Sequence, residues 1–266
     1  MKIFIAGDST FQYNDGSTYP QTGIGQMLSL FFNSAEYDGD PLPDFENCRI
    51  PFINCARNGR STKSFINEGR LSYIESHLSQ GDYLFVCFGH NDEKVQDENR
   101  GTRPFEDFQD YLSEYADCAE RKNACPLFFT PVARRKFEYD KKTGLEKAVE
   151  THGDYPKAII DFTEKRGLPV IDLSTLTRKY IGQLGIEKSR NLYMNFDAFL
   201  YEAYLGGKED NTHLRPDGAY AFARIAAMEI AKLKDWSGKY AEQYRLLASK
   251  ICVPRNFNRN ECTNAD

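Results

Sequence analysis

The sequence predicts an α/β protein, with a parallel sheet covered by helices on both faces. Three observations carry that prediction. Five short apolar runs open near Ile3, Ile50, Tyr83, Leu127 and Leu168, and they read as strands buried on both faces. Segments with apolar residues at helical spacing separate them, the alternation that builds a parallel sheet. The first three runs each stop at a short polar turn, at Gly7-Asp8-Ser9, Arg57-Asn58-Gly59-Arg60 and Gly89-His90-Asn91-Asp92.

Taken in order, residues 3–6 form the first strand and the Gly-rich turn ends it. A loop rich in Tyr, Asn, Gly and Ser runs over 11–22, and apolar spacing predicts a helix over 23–33. Pro41, Pro43 and Pro51 make 39–51 a loop. A strand over 50–55 follows, then a helix ending near Gln80-Gly81. Residues 83–88 (YLFVCF) have the strongest strand propensity in the chain. After a polar loop to Pro104, Phe105, Phe108, Leu112, Tyr115 and Ala119 repeat with the helical period over 105–122. Residues 127–132 are the fourth strand, and 134–153 read as a charged loop. A helix over 155–166 leads to the fifth strand, 168–173, and a further helix over 174–188. The aromatic-rich stretch 191–207 has no clear period, and 210–216 reads as loop. Helices over 217–234 and 238–250 complete a single domain, residues 1–250, followed by a polar tail, 251–266.

Bulk properties exclude several function classes. The 266 residues are 41% hydrophobic, enough for a full core, and carry a net charge of -5. That charge argues against nucleic acid as the main partner. No apolar run approaches the roughly 20 residues of a membrane-spanning helix, so no membrane partner is expected. With Met1 as the native start there is no signal peptide and the protein is cytoplasmic; a leader already removed would make it secreted. The seven cysteines (Cys48, Cys55, Cys87, Cys118, Cys125, Cys252, Cys262) are odd in number and irregular in spacing, which is no disulfide framework. Cys55 and Cys87 read as packing residues. Neither they nor the four histidines show metal-ligand spacing, so no obligatory metal and no cofactor are expected.

Parallel strands put their carboxyl ends on one edge, so the three turns should converge there with Asp210-Asn211-Thr212-His213. The chemistry that needs this set is acyl transfer. A serine hydroxyl is a weak nucleophile until a base takes its proton. His213 can be that base for Ser9, and Asp210, three residues earlier, can hold the other ring nitrogen. The N–H groups of Ser9 and Gly59 and the side-chain amide of Asn91 can bind the oxyanion of the tetrahedral intermediate. Each residue also has a plainer reading. Ser9 and Asn91 can be turn residues, His213 a surface or capping histidine, and Asp8, His90 and Asp92 braces for the loops. Arg134, Arg135 and Lys136 can be a solvated charged loop.

The blocks GDST at Gly7, NGRS at Asn58, GHND at Gly89 and DNTH at Asp210, in that order, resemble the GDSL-type, or SGNH, hydrolases. ARNGRSTKSFINEGR, VCFGHNDEK, TPVARRKF, THGDYPKA and DNTHLRPDGA look most like one branch, the rhamnogalacturonan acetylesterases of carbohydrate esterase family twelve. The likeness extends to about Met228, and Thr10 stands where the namesake block has leucine. The resemblance implies a three-layer α/β/α sandwich around a five-stranded parallel sheet, flavodoxin-like. It also implies Ser9 as nucleophile, Asp210 and His213 as its partners, and Ser9, Gly59 and Asn91 as oxyanion donors. The expected substrate is acetylated rhamnogalacturonan, as polysaccharide or oligosaccharide. Arg60, His90 and Arg134 are candidate substrate contacts, the arginines through galacturonate carboxylates. A deacetylase of another glycan such as xylan, a broad short-acyl esterase, and a catalytically dead carbohydrate-binding module are the alternatives.

Overall fold

The computed structural model describes residues 1–32, 50–142 and 144–252. Most of the expected 39–51 loop and the polar tail beyond Cys252 lie outside these residues. In chain order the elements are β1 (Ile3–Gly7), α1 (Ile24–Leu28), β2 (Phe52–Asn54), α2 (Thr62–Asn67), α3 (Arg70–His77), β3 (Tyr83–Cys87), α4 (Asp107–Arg121) and β4 (Cys125–Phe129). Then come β5 (Phe137–Asp140), β6 (Leu145–Ala148), α5 (Tyr155–Arg166), β7 (Val170–Ile171), α6 (Leu173–Arg190), β8 (Tyr193–Phe196), β9 (Lys208–Leu214), α7 (Pro216–Lys232) and α8 (Ala241–Ala248).

The main sheet has five parallel strands in the order β2-β1-β3-β4-β7, the flavodoxin-like arrangement. Period-two side chains split the core into two layers. Ile3, Ile5, Phe85, Leu127 and Phe129 pack on one face under α1, α6, α7 and α8. Phe4, Ala6, Leu84, Val86 and Phe128 pack on the other under α2 to α5. The central strands are buried throughout, which is why they read as unbroken apolar runs.

Two features of this sheet place the site. The strand ends are flush, since Gly7 pairs with Cys87, Cys87 with Phe129 and Phe129 with Ile171. The chain also leaves β1 toward β2 on one side and returns to β3 on the other. The β1/β3 boundary is therefore the switch point where a crevice opens beyond the carboxyl ends.

The structure corrects several boundaries. The helix expected after Ser61 is two helices, broken at Gly69, whose φ of +73° is left-handed. The fourth strand begins at Cys125 rather than 127, because Cys125 and Pro126 already pair with Tyr83 and Leu84 of β3. The fifth is two residues long. The stretch expected to be a charged loop holds the antiparallel hairpin β5–β6, and the loop expected over 210–216 is largely strand β9, paired with β8. Cys87 is buried as expected, and Cys55 is partly buried.

Candidate active site

Ser9 sits in the turn that closes β1. The Asp8 carboxylate shapes that turn, with Oδ1 accepting from the Thr10 N–H at 2.8 Å and the Thr10 hydroxyl at 2.7 Å. The Phe11 N–H donates to the Asp8 carbonyl, which tightens the turn further. Ser9 is only 6% exposed, and its hydroxyl donates to His213 Nε2 at 2.9 Å.

His213 and Asp210 reach Ser9 from β9. Met194 pairs with Asp210 and Tyr193 with Leu214, so residues 211–213 bulge out between consecutive pairs. A bulge re-aims a side chain that a regular strand would commit to one face. Asp210 fixes the bulge from within. Its Oδ1 accepts the N–H groups of Thr212 and His213, at 2.8 and 3.0 Å, while Oδ2 accepts from His213 Nδ1 at 2.8 Å. Burial pushes the Asp210 carboxyl up, but the bonds and charge of His213 and the Thr212 N–H outweigh it, leaving it well below the usual range. A permanently ionised carboxylate fixes the imidazole tautomer that leaves Nε2 free to accept the Ser9 proton.

The other two turns stand beside Ser9. The Arg57 N–H donates to the Gly7 carbonyl at 2.9 Å, and the Asn58 N–H to Gln12 Oε1. The Asn91 amide donates to the Arg60 carbonyl at 3.0 Å, tying the β3 turn to the β2 turn. An amide has two N–H donors, so one remains for a ligand. Gly59 has φ +77°, a conformation that favours glycine. Among the described residues, neither the Ser9 N–H nor the Gly59 N–H has a hydrogen-bond partner. These free donors are what an oxyanion requires.

Buried ionisable groups brace the turns. Asp92 is fully buried, and its Oδ1 accepts from the N–H of Thr62, at 2.9 Å, and from the Thr62 hydroxyl. Burial pushes its carboxyl up to about 7 in spite of those bonds, and the nearby Asp8 charge adds to the rise. The folded state then holds this proton more tightly than the unfolded chain, where an aspartate titrates near ~3.9. Stability from this group is fully present below about pH 4 and is lost as pH rises through about 7. Asp92→Asn keeps an oxygen for Thr62 and removes the titration. Thermal melts between roughly pH 5 and 8 should therefore show a smaller alkaline loss of Tm in the variant. Equal losses in the two proteins contradict this.

Of the three candidate substrate contacts, Arg60 lines an open groove with Tyr13, Asp15, Thr18 and Arg57, a groove that Ser9, Asp210 and His213 do not line. His90 is 4% exposed and lines neither of the two grooves. Arg134 lines a second groove with Lys136, Glu150 and Asn211, yet its guanidinium is paired with Glu93 and bonded to the Thr151 carbonyl. Arg135 is likewise engaged, by Ser189, Ile186 and Asn211. These two arginines brace the backbone and are no solvated patch. Sequence reasoning missed Asn195, whose side chain bonds the Asp210 N–H and carbonyl. The signal was there: one amide inside the apolar run YMNF, buried to 2%. It also missed Glu93 and His152, which cover His90 and Arg134.

The sequence model of the GDSL-like lipase/acylhydrolase family matches residues 3–226. A rhamnogalacturonan acetylesterase of Bacillus subtilis is 36% identical over 233 residues, 88% of this chain and 90% of the relative. A probable rhamnogalacturonan acetylesterase of the same organism is 34% identical over 231 residues, 87% of this chain and 93% of the relative. Among solved structures, the Bacillus subtilis protein YxiM superposes with a TM-score of 0.68 at 25% identity over 87% of this chain. The match spans 56% of that longer protein.

Proposed function

The chain belongs to the GDSL-like lipase/acylhydrolase family and is a carboxylic ester hydrolase, and we propose that it removes O-acetyl groups from rhamnogalacturonan or its oligosaccharides through an acyl-enzyme on Ser9. The observation that carries the chemistry is the continuous chain from the Ser9 hydroxyl through His213 to Asp210, with contacts of 2.9 and 2.8 Å.

In this reading Ser9 Oγ attacks the acetyl carbonyl carbon as His213 Nε2 takes its proton. Asp210 holds the resulting imidazolium. The N–H groups of Ser9 and Gly59 and the Asn91 amide receive the oxyanion. Collapse of the intermediate breaks the bond to the sugar oxygen, which leaves with the proton from His213. Water then attacks the acetyl-serine with His213 again as base, and acetate departs as Ser9 regains its proton.

The pectic substrate is supported by the names of the two Bacillus subtilis relatives, each matched over most of its length. The family blocks specify chemistry, whereas loops specify substrate, so a xylan deacetylase is the competing reading. A dead binding module needs no hydroxyl, imidazole and carboxylate in line. The test is acetate release from acetylated rhamnogalacturonan oligosaccharides beside acetylated xylan oligosaccharides. Release from the pectic substrate in clear excess is expected. Equal or faster release from xylan keeps the chemistry and overturns the substrate.

A further inference from the structure

Resting on that reading, we propose that His90 is a positioning residue: its imidazole, set against the Asp8 carboxylate, fixes the turn bearing Ser9 relative to the turn bearing Asn91. His90 and Asp8 line neither of the two grooves described above, and the esterase mechanism above does not use them.

The argument begins with sequence position. Asp8 immediately precedes Ser9, and His90 immediately precedes Asn91. Their strands are hydrogen-bonded neighbours, with Gly7 opposite Cys87. Any link between Asp8 and His90 therefore spans the two turns that must cooperate on one oxyanion. Gly89 brings the β3 turn there with φ +144°, and a Cβ on it would lie 2.7 Å from the Pro131 ring. The chain accepts a glycine-only backbone at this point to turn inward.

Burial and contacts add the chemistry. Asp8 is 0% exposed and His90 4%. His90 Nδ1 lies 3.4 Å from Asp8 Oδ2. Asp8 Oδ1 is occupied by Thr10, whereas among the described residues Oδ2 and both His90 ring nitrogens have no well-formed hydrogen bond. The imidazole thus faces the one uncommitted oxygen of a buried carboxylate. The His152 ring closes the other side edge-on, with centroids 4.6 Å apart. His152 is itself held by the Val132 carbonyl at 2.8 Å and by Glu93 at 3.1 Å, and Glu93 is paired with Arg134. Burial holds His90 below the ordinary imidazole range, so it faces Asp8 as a neutral ring.

Stability alone does not explain the pair. Sequestering a carboxylate from water is costly, and apolar residues of the same volume commonly serve a fold as well or better. Relative placement of two turns is what an apolar pair would not specify. A small misplacement of groups around a reacting centre costs on the order of 10²-fold in rate.

The test uses steady-state kinetics on p-nitrophenyl acetate with wild type, His90→Leu, His90→Gln, Asp8→Asn and the Asp8→Asn/His90→Leu double variant. Ser9→Ala runs beside them. His90→Leu keeps the bulk and loses the ring nitrogens. It should lower kcat by roughly 10- to 100-fold with KM within about twofold, and lower Tm as well, because Asp8 is left buried without its partner. His90→Gln, which restores an N–H donor, should recover most of kcat. The double variant should be no slower than His90→Leu alone, because the two side chains act as one unit. The proposal is overturned by a His90→Leu kcat within about twofold of wild type, by failure of glutamine to rescue, or by additive losses in the double variant. Should His90→Leu not fold, the same cycle between His90→Gln and Asp8→Asn decides it on additivity. Turnover within a few fold of wild type in Ser9→Ala would instead remove the esterase reading itself, and the proposal with it.

Discussion

Ser9→Ala should lower acetate release by on the order of 10⁴-fold or more while leaving the fold intact. The reason is local. The Ser9 hydroxyl makes its hydrogen bond to His213 Nε2, and the turn is held by Asp8, Thr10 and Phe11. Alanine removes the attacking oxygen and none of those supports. A residual rate above the uncatalysed reaction is expected, since the free N–H groups of Ser9 and Gly59 still receive an oxyanion from attacking water. Acetate release and Tm measured on one preparation check both halves. A loss of only a few fold would mean that Ser9 does not carry the acyl group.

Asp210→Asn should be nearly as severe, on the order of 10⁴-fold in kcat. The asparagine oxygen can replace Oδ1 and still accept the N–H groups of Thr212 and His213, so the bulge keeps its shape. At the Oδ2 position an NH₂ group then donates to His213 Nδ1 where a carboxylate accepted from it. The imidazole must move its proton to Nε2, which points that proton at Ser9 and ends its service as base. Asp210 in the wild type stays ionised well below the ordinary range, through the bonds and charge of His213 and the Thr212 N–H against the cost of burial. The stability it contributes is therefore present above about pH 4, its ordinary pKa, and lost as pH falls further, and the variant lacks that acid-side loss. Kinetics together with acid melts of the two proteins check the prediction. A variant with kcat near wild type would show that the carboxylate does not set the tautomer.

The residues of the candidate site were more legible in the sequence than the frame that brings them together. Strands buried on both faces leave unbroken apolar runs, so β1 and β3 were plain, and the polar turns at their ends marked Ser9 and Asn91. Helix α5 was equally legible, from the Asp154-Tyr155-Pro156 opening to the Gly167 stop. The hairpin β5–β6 was not, because most of its residues face solvent and carry no apolar alternation. Strand β9 was hidden for a related reason. Asp210, Asn211 and Thr212 are turn formers by type, and the bulge over 211–213 that follows Asp210 is a turn inserted in a strand. The Arg134-Arg135-Lys136 cluster looked like a free cationic patch, since sequence does not show that Glu93, Ser189 and Ile186 occupy the two arginines. For His90 the sequence offers both a ligand contact and a brace for the loops, and its burial against Asp8 is visible only in the structure.

The measurement that tests the central claim most directly is mass spectrometry of the enzyme quenched during turnover of an activated acetyl ester, followed by peptide mapping. An acetyl group on the peptide bearing Ser9, formed and lost at rates matching turnover and missing in Ser9→Ala, is the predicted result. Full turnover with that peptide unmodified, or with the acetyl group on another side chain at a competent rate, would contradict the account.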